Sequence, residues 1–214
     1  MNKERTDKNI ENRDRYGITA WFYDILDYPW ERQYRKWRPQ LLSGVSGEVL
    51  ELGVGTGRNL PHYPFGVTHL TAVDFSPAML QHARRRAKGA VCPVLFVQDD
   101  VCTLSSIPSE KFDWVVACFL CCVLPAEYQD QALAQISRVL KPGGRFCLLE
   151  MVYSKDENIR KRQDRFAPFV EKVYGARFDR NTLEHARNTP GLVVTGTRFV
   201  KQDTYLLIEG LCRK

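Results

Sequence analysis

No apolar run in the 214-residue sequence approaches the ~20 residues needed to cross a bilayer. The charged start, Met1 to Asn12, also lacks the apolar stretch of a signal peptide. A cytoplasmic protein is the expectation. There is no internal repeat and no low-complexity segment, so neither a solenoid nor a linker-rich array is predicted. Paired base or ligand motifs are missing as well. The four histidines, His62, His69, His82 and His185, are scattered, and nothing resembles H-x-x-H. Cys118 and Cys121 have a C-x-x-C spacing, but no second pair accompanies them. A structural zinc site is therefore not expected, and no metal is predicted. Seven cysteines are an odd number in a chain large enough to fold without staples, and several sit in apolar segments. They read as reduced, buried thiols.

What is present fits one globular domain: 44% hydrophobic and 26% charged residues. The formal charge of +6 is spread along the chain. The densest basic runs, Arg84–Arg86 with Lys88 and Arg160–Arg162 with Arg165, read as solvated helix faces. A nucleic-acid partner is not expected.

Residues 1–12 read as a flexible start, since nine of the twelve are charged or Asn. Residues 13–42 change character. Tyr16, Trp21, Phe22, Tyr23, Tyr28, Trp30, Tyr34 and Trp37 put eight aromatics in one helical region, broken near Pro29. Such a segment must lie on something apolar, either as a cover for a sheet edge or as a lid over a ligand. Strands are predicted at Glu48–Leu52, Thr68–Asp74, Pro93–Val97, Phe112–Cys118, Arg145–Met151, Leu192–Lys201 and Thr204–Cys212. Helices are predicted from about Leu60, after Ser76-Pro77, and over Ala126–Leu140, Asp156–Tyr174 and Asn181–Asn188. The alternation implies a Rossmann-like α/β fold: seven strands, mostly parallel, with helices on both faces and an antiparallel C-terminal edge strand. The domain splits into an N-terminal helical lid (13–42), a core (47–150) and a C-terminal substrate-side part (151–214).

Glu51-Leu52-Gly53-Val54-Gly55-Thr56-Gly57 follows the first strand directly, and Asp74 ends the next one. Glycines let a backbone turn sharply and approach a ligand. A carboxylate about twenty residues beyond such a loop can accept bonds from both ribose hydroxyls. Dinucleotide sites prefer G-x-G-x-x-G. Here the spacing is G-x-G-x-G, with Arg58 at the third dinucleotide position. Glu51 would repel a pyrophosphate but attract a sulfonium and an ammonium, which favours S-adenosylmethionine.

The runs V-L-E-L-G-V-G-T-G-R-N, A-V-D-F-S-P-A-M-L, Q-D-D-V, F-D-W-V-V and R-V-L-K-P-G-G-R-F resemble, in order and spacing, the motifs of class I S-adenosylmethionine-dependent methyltransferases. They are most similar to the group holding ubiquinone/menaquinone C-methyltransferases, phospholipid N-methyltransferases and thiol S-methyltransferases. The resemblance implies that Gly53, Gly55 and Gly57 cradle the methionine portion, with Glu51 and Asn59 beside them. Asp74 would hold the ribose and Phe75, Ser76 and Met79 the adenine side. Asp100 and Val101 would meet the adenine edge, although either Asp100 or its neighbour Asp99 could instead cap a loop, and Cys118 would lie near the sulfur. Tyr16, Tyr23 and Asp24 would sit in the lid.

Methyl transfer is an in-line displacement that needs orientation and a dry path. No catalytic base stands out, and the catalytic candidates are Tyr23 and Cys118. His62 follows the cofactor loop but reads better as a surface residue. By the same resemblance, Phe119–Leu124 faces the transferable methyl. Cys118, Cys121 and Cys102 could bind a soft metal or metalloid; buried thiols are the simpler reading. The acceptor expected first is a small molecule, such as a thiol or other sulfur compound. The alternatives are a lipid or quinone head group at the membrane surface, and a catalytically inactive cofactor-binding partner protein. Peripheral membrane contact is foreseen through Trp21, Phe22 and Trp30, or through Phe166, Phe169 and Val170 beside Arg160–Arg165.

Overall fold

The computed structural model describes residues 28–214, and side chains from Glu31 onward. The predicted lid contacts Tyr16, Tyr23 and Asp24, and Trp21 and Phe22, lie outside the described residues. The first described helix, α1 (Tyr28–Leu42), includes Pro29 and continues through it.

Seven strands follow: β1 (Gly47–Leu52), β2 (Val67–Asp74), β3 (Val94–Gln98), β4 (Phe112–Cys118), β5 (Leu140–Met151), β6 (Leu192–Lys201) and β7 (Tyr205–Cys212). They form one sheet in the order β3-β2-β1-β4-β5-β7-β6. The first five are parallel, and β7 runs antiparallel to both β5 and β6. The C-terminal pair is thus the antiparallel margin, with β7 one place inside and β6 at the edge. The helices between are α2 (Pro77–Arg86), α3 (Ala126–Val139), α4 (Glu157–Tyr174) and α5 (Thr182–Asn188).

One expected helix is absent. Between β1 and β2 only the short 3-10 turn Leu60–His62 forms, because Pro61 and Pro64 remove the N–H groups a longer helix would need. Lys141-Pro142-Gly143-Gly144 ends α3 as expected but already runs as the start of β5.

Strand alternation divides the core by face. Leu50, Leu52, Val115, Ala117, Phe146 and Leu148 pack with Leu133 and Ile136 of α3 and Ala186 of α5. Val49, Ala72, Val116, Cys147 and Leu149 pack with Leu41 and Leu42 of α1 and Leu80 and Ala83 of α2. Alternation also fixes two carboxylates at the C-terminal strand ends, Glu51 on the α1 side and Glu150 on the α3 side, 2% and 1% exposed. Among the described residues no helix is long and apolar enough to cross a membrane.

Candidate functional site

A cavity of about 860 Å³ opens over the C-terminal ends of β1, β2, β4 and β5 and the turn that leads from β6 into the start of β7, where open α/β sheets bind ligands. One half collects the predicted cofactor residues: Glu51, Gly53, Gly55, Asn59, Asp74, Phe75, Met79, Asp100, Val101 and Cys118 all line it. Gly57 and Ser76 do not. Gly57 (φ +82°) lies against α2, where a Cβ would fall 2.8 Å from the Ala83 Cα. It lets loop and helix approach. Ser76 caps α2, accepting from the Met79 N–H at 3.4 Å.

The loop's geometry follows from its backbone. Gly55 has φ +54°, and a Cβ there would meet nothing within 4 Å, so the turn exposes bare backbone to the cavity. Its N–H donates to Asp74 Oδ2 at 2.8 Å, and the Ser76 N–H donates to Oδ1 at 2.9 Å. Two bonds leave Asp74 with acceptor capacity for further donors. Burial pushes its carboxyl up, against these N–H groups. Of the adjacent acids, Asp99 ties its own loop together through the Asp100 N–H and both donors of Ser106. Asp100 faces the cavity and accepts from the Cys102 N–H.

Sequence reasoning missed a buried polar network behind the loop. Glu51 accepts from Asn59 Nδ2 at 2.8 Å and from the Tyr63 hydroxyl at 3.0 Å. Arg38 of α1, 8% exposed, donates to Asn59 Oδ1 and to Glu31 at 2.9 Å. Glu31 also pairs with Arg58 at 3.0 Å. Burial raises Glu51 to about 7, opposed by Asn59, Tyr63 and Arg38. The one signal of Arg38 was its place four residues after Tyr34 on an aromatic helix. An aromatic cluster of Tyr34, Trp37, Phe119 and Tyr205 then fastens α1 over the ends of β4 and β7.

The other half is walled by Val123, Leu124, Met151, Phe166, Phe169 and Phe178, with Arg162, Arg165 and Lys201 among them. Glu150 anchors the loop after β4, accepting the Cys121 and Cys122 N–H groups at 2.9 and 2.8 Å. Cys118 borders both halves. Burial, offset in part by Arg38, pushes its thiol up to about 12, so it stays protonated at neutral pH. All seven cysteines are unbridged. Among the described residues no group of three His, Cys, Asp or Glu is arranged to hold a metal, and the Cys122 thiol donates to the Phe119 carbonyl. His62 does not line the cavity.

The fold is shared with class I, S-adenosylmethionine-dependent methyltransferases. Residues 49–144 match the family described as a methyltransferase domain. A phosphatidylethanolamine N-methyltransferase of Cereibacter sphaeroides is 36% identical over 104 residues, 48% of this chain and 50% of that protein. A ubiquinone/menaquinone biosynthesis C-methyltransferase UbiE of Shewanella piezotolerans is 29% identical over 159 residues, 72% of this chain and 62% of that protein. The chain thus spans half to about six-tenths of these relatives' lengths. Among solved structures, the N-methyltransferase NodS of Bradyrhizobium japonicum, in complex with S-adenosylhomocysteine, superposes with a TM-score of 0.63 at 18% identity. The match covers 87% of this chain and 89% of that one, and shows a shared fold. The donor set suits the cofactor: carboxylates for a sulfonium, an ammonium and a ribose, bare glycine backbone, and apolar Phe75, Met79 and Val101 for a purine.

Proposed function

We propose that this protein methylates an apolar small-molecule acceptor that reacts as a thiolate. One observation carries the reading. Among the described residues, the acceptor half of the cavity is apolar and cationic, with no histidine and no carboxylate lining it. The side chains that most often abstract protons, His, Asp and Glu, are therefore not part of the described wall. Arg162, Arg165 and Lys201 instead lower the pKa of a bound thiol through their field, favouring the charged form.

When bound, the cofactor supplies an electrophilic methyl on sulfur, whose bond to that sulfur breaks as the acceptor's bond to carbon forms. Asp74 orients the ribose, and Glu51 and Asp74 supply negative charge beside a cationic ligand. A cation there would stabilise the ionised form of Glu51. Phe119, Leu120, Val123 and Leu124 keep water from the transfer path. Cys118, held protonated, does not compete as a nucleophile.

Turnover of radiolabelled S-adenosylmethionine should be measured with apolar thiols, matched amines, quinols and phosphatidylethanolamine vesicles. The thiols should give thioethers, with a rate that rises with pH and levels off below the free thiol's pKa. Methylation of amines, quinols or lipid, with thiols inert, would refute the thiolate reading. A lipid or quinone head group is the second reading, favoured by the exposure of Phe166 and Phe169 at the cavity mouth, 58% and 53%.

A further inference from the structure

We infer that α4 docks the protein on an anionic lipid bilayer, with the cavity mouth opening toward the lipid. The inference concerns the exposed flank of α4 at the cavity mouth, where Arg162, Arg165, Phe166 and Phe169 also line the cavity, and holds whichever acceptor is methylated.

The helix is amphipathic in an unusual sense. None of its residues is fully buried, yet its side chains are sorted around the axis. Glu157, Asp164 and Glu171 recur at seven-residue intervals and so share one line along the helix. Lys161, Arg162, Arg165, Phe166, Phe169 and Lys172 are linked by steps of three and four and occupy another. The acidic line is largely satisfied: Asp164 pairs with Arg160 at 3.4 Å and Glu171 with Arg177 at 3.1 Å. Glu157 reaches only Lys161, at 4.0 Å. Arg162, Arg165 and Lys172 have no carboxylate partner among the described residues.

Two half-exposed phenylalanines inside a cationic flank match the interfacial helix pattern, in which aromatic rings enter the acyl boundary while Lys and Arg meet anionic head groups. The overall charge of +6 adds long-range attraction to such a surface. Position strengthens the assignment. Phe166 and Phe169 are exposed and also line the cavity, so an apolar acceptor dissolved in the bilayer can pass along them without crossing water.

The test is co-sedimentation of the full chain with vesicles of phosphatidylcholine alone or mixed with phosphatidylglycerol. Binding should require the anionic lipid and fall at least about tenfold between low and high salt. Lys161→Glu with Lys172→Glu lies outside the cavity lining and should cut binding about tenfold. Phe169→Ser should weaken it at constant salt. S-adenosylhomocysteine affinity and the melting temperature of each variant verify that the fold is intact. Absence of binding, equal binding to both vesicle types, or variants that bind like the parent would overturn the inference. A dimer in sedimentation velocity that Phe169→Ser dissociates would assign the face to a second copy and overturn it equally.

Discussion

At the scale of single residues, Asp74 and Cys118 show how burial and hydrogen bonding assign chemistry. Asp74 is positioned by two backbone N–H groups, one from the glycine loop and one from the start of the next turn. Its free acceptor capacity is what the cofactor's ribose would use. Removing it should cost about 1.5–3 kcal/mol, so calorimetry of Asp74→Ala should find S-adenosylhomocysteine bound at least tenfold more weakly. Unchanged affinity in a folded variant would remove the ribose role. Cys118 is the opposite case, a nucleophile silenced by its surroundings. Since the thiolate is the reactive form, native protein treated with iodoacetamide at pH 7.5 should leave Cys118 unmodified in peptide mass spectra. Rapid labelling would place it back among the catalytic candidates.

At the scale of elements, the glycine loop separates two functions that the sequence presents as one motif. Gly57→Ala meets the Ala83 backbone of α2 in a left-handed conformation, so it should lower the urea-unfolding free energy by about 1–3 kcal/mol. Gly55→Ala faces open cavity. It should cost less stability and weaken cofactor affinity more, a contrast that denaturation and calorimetry together can read. Nothing in G-x-G-x-G distinguishes these two glycines, because the difference lies in what α2 brings beside them. The strands and the loop were legible because hydrophobic runs and turn residues are local signals. The helix expected near Leu60 shortens to a 3-10 turn because Pro61 and Pro64 withhold the N–H groups a longer helix needs. The Arg38–Asn59–Glu51–Tyr63 network was invisible, since Arg38 joins it only through the docking of α1 and Asn59 and Tyr63 reach Glu51 only once the loop after β1 has folded back. The roles of Glu150 and of the exposed α4 flank likewise depend on which faces the topology leaves covered.

At the scale of the whole molecule, the buried carboxylates make stability depend on pH. Burial lifts both Glu51 and Glu150 to about 7 from an ordinary 4.5. Between those values the folded chain binds more protons than the unfolded one, so stability falls as pH climbs from about 4.5 to about 7. His62, lowered by burial, acts in the opposite direction. Thermal melts should therefore give a higher Tm near pH 5.5 than near pH 8. Glu150→Gln, which cannot titrate, should lower the Tm at pH 5.5 and narrow the gap; an unchanged gap would exclude Glu150 as its source. The strand order carries a further consequence for biosynthesis. Among the described residues β6 is hydrogen-bonded only to β7, and β7 is translated after it. While the chain emerges from the ribosome, the glycine loop and the parallel strands can assemble, but β6 has no neighbour to pair with until β7 is complete. An unpaired strand is a template for association with other chains. Nascent chains truncated within residues 202–210 and fused to a linker long enough to span the ribosomal exit tunnel should accordingly recruit chaperones more strongly than such chains truncated before β6 or after β7.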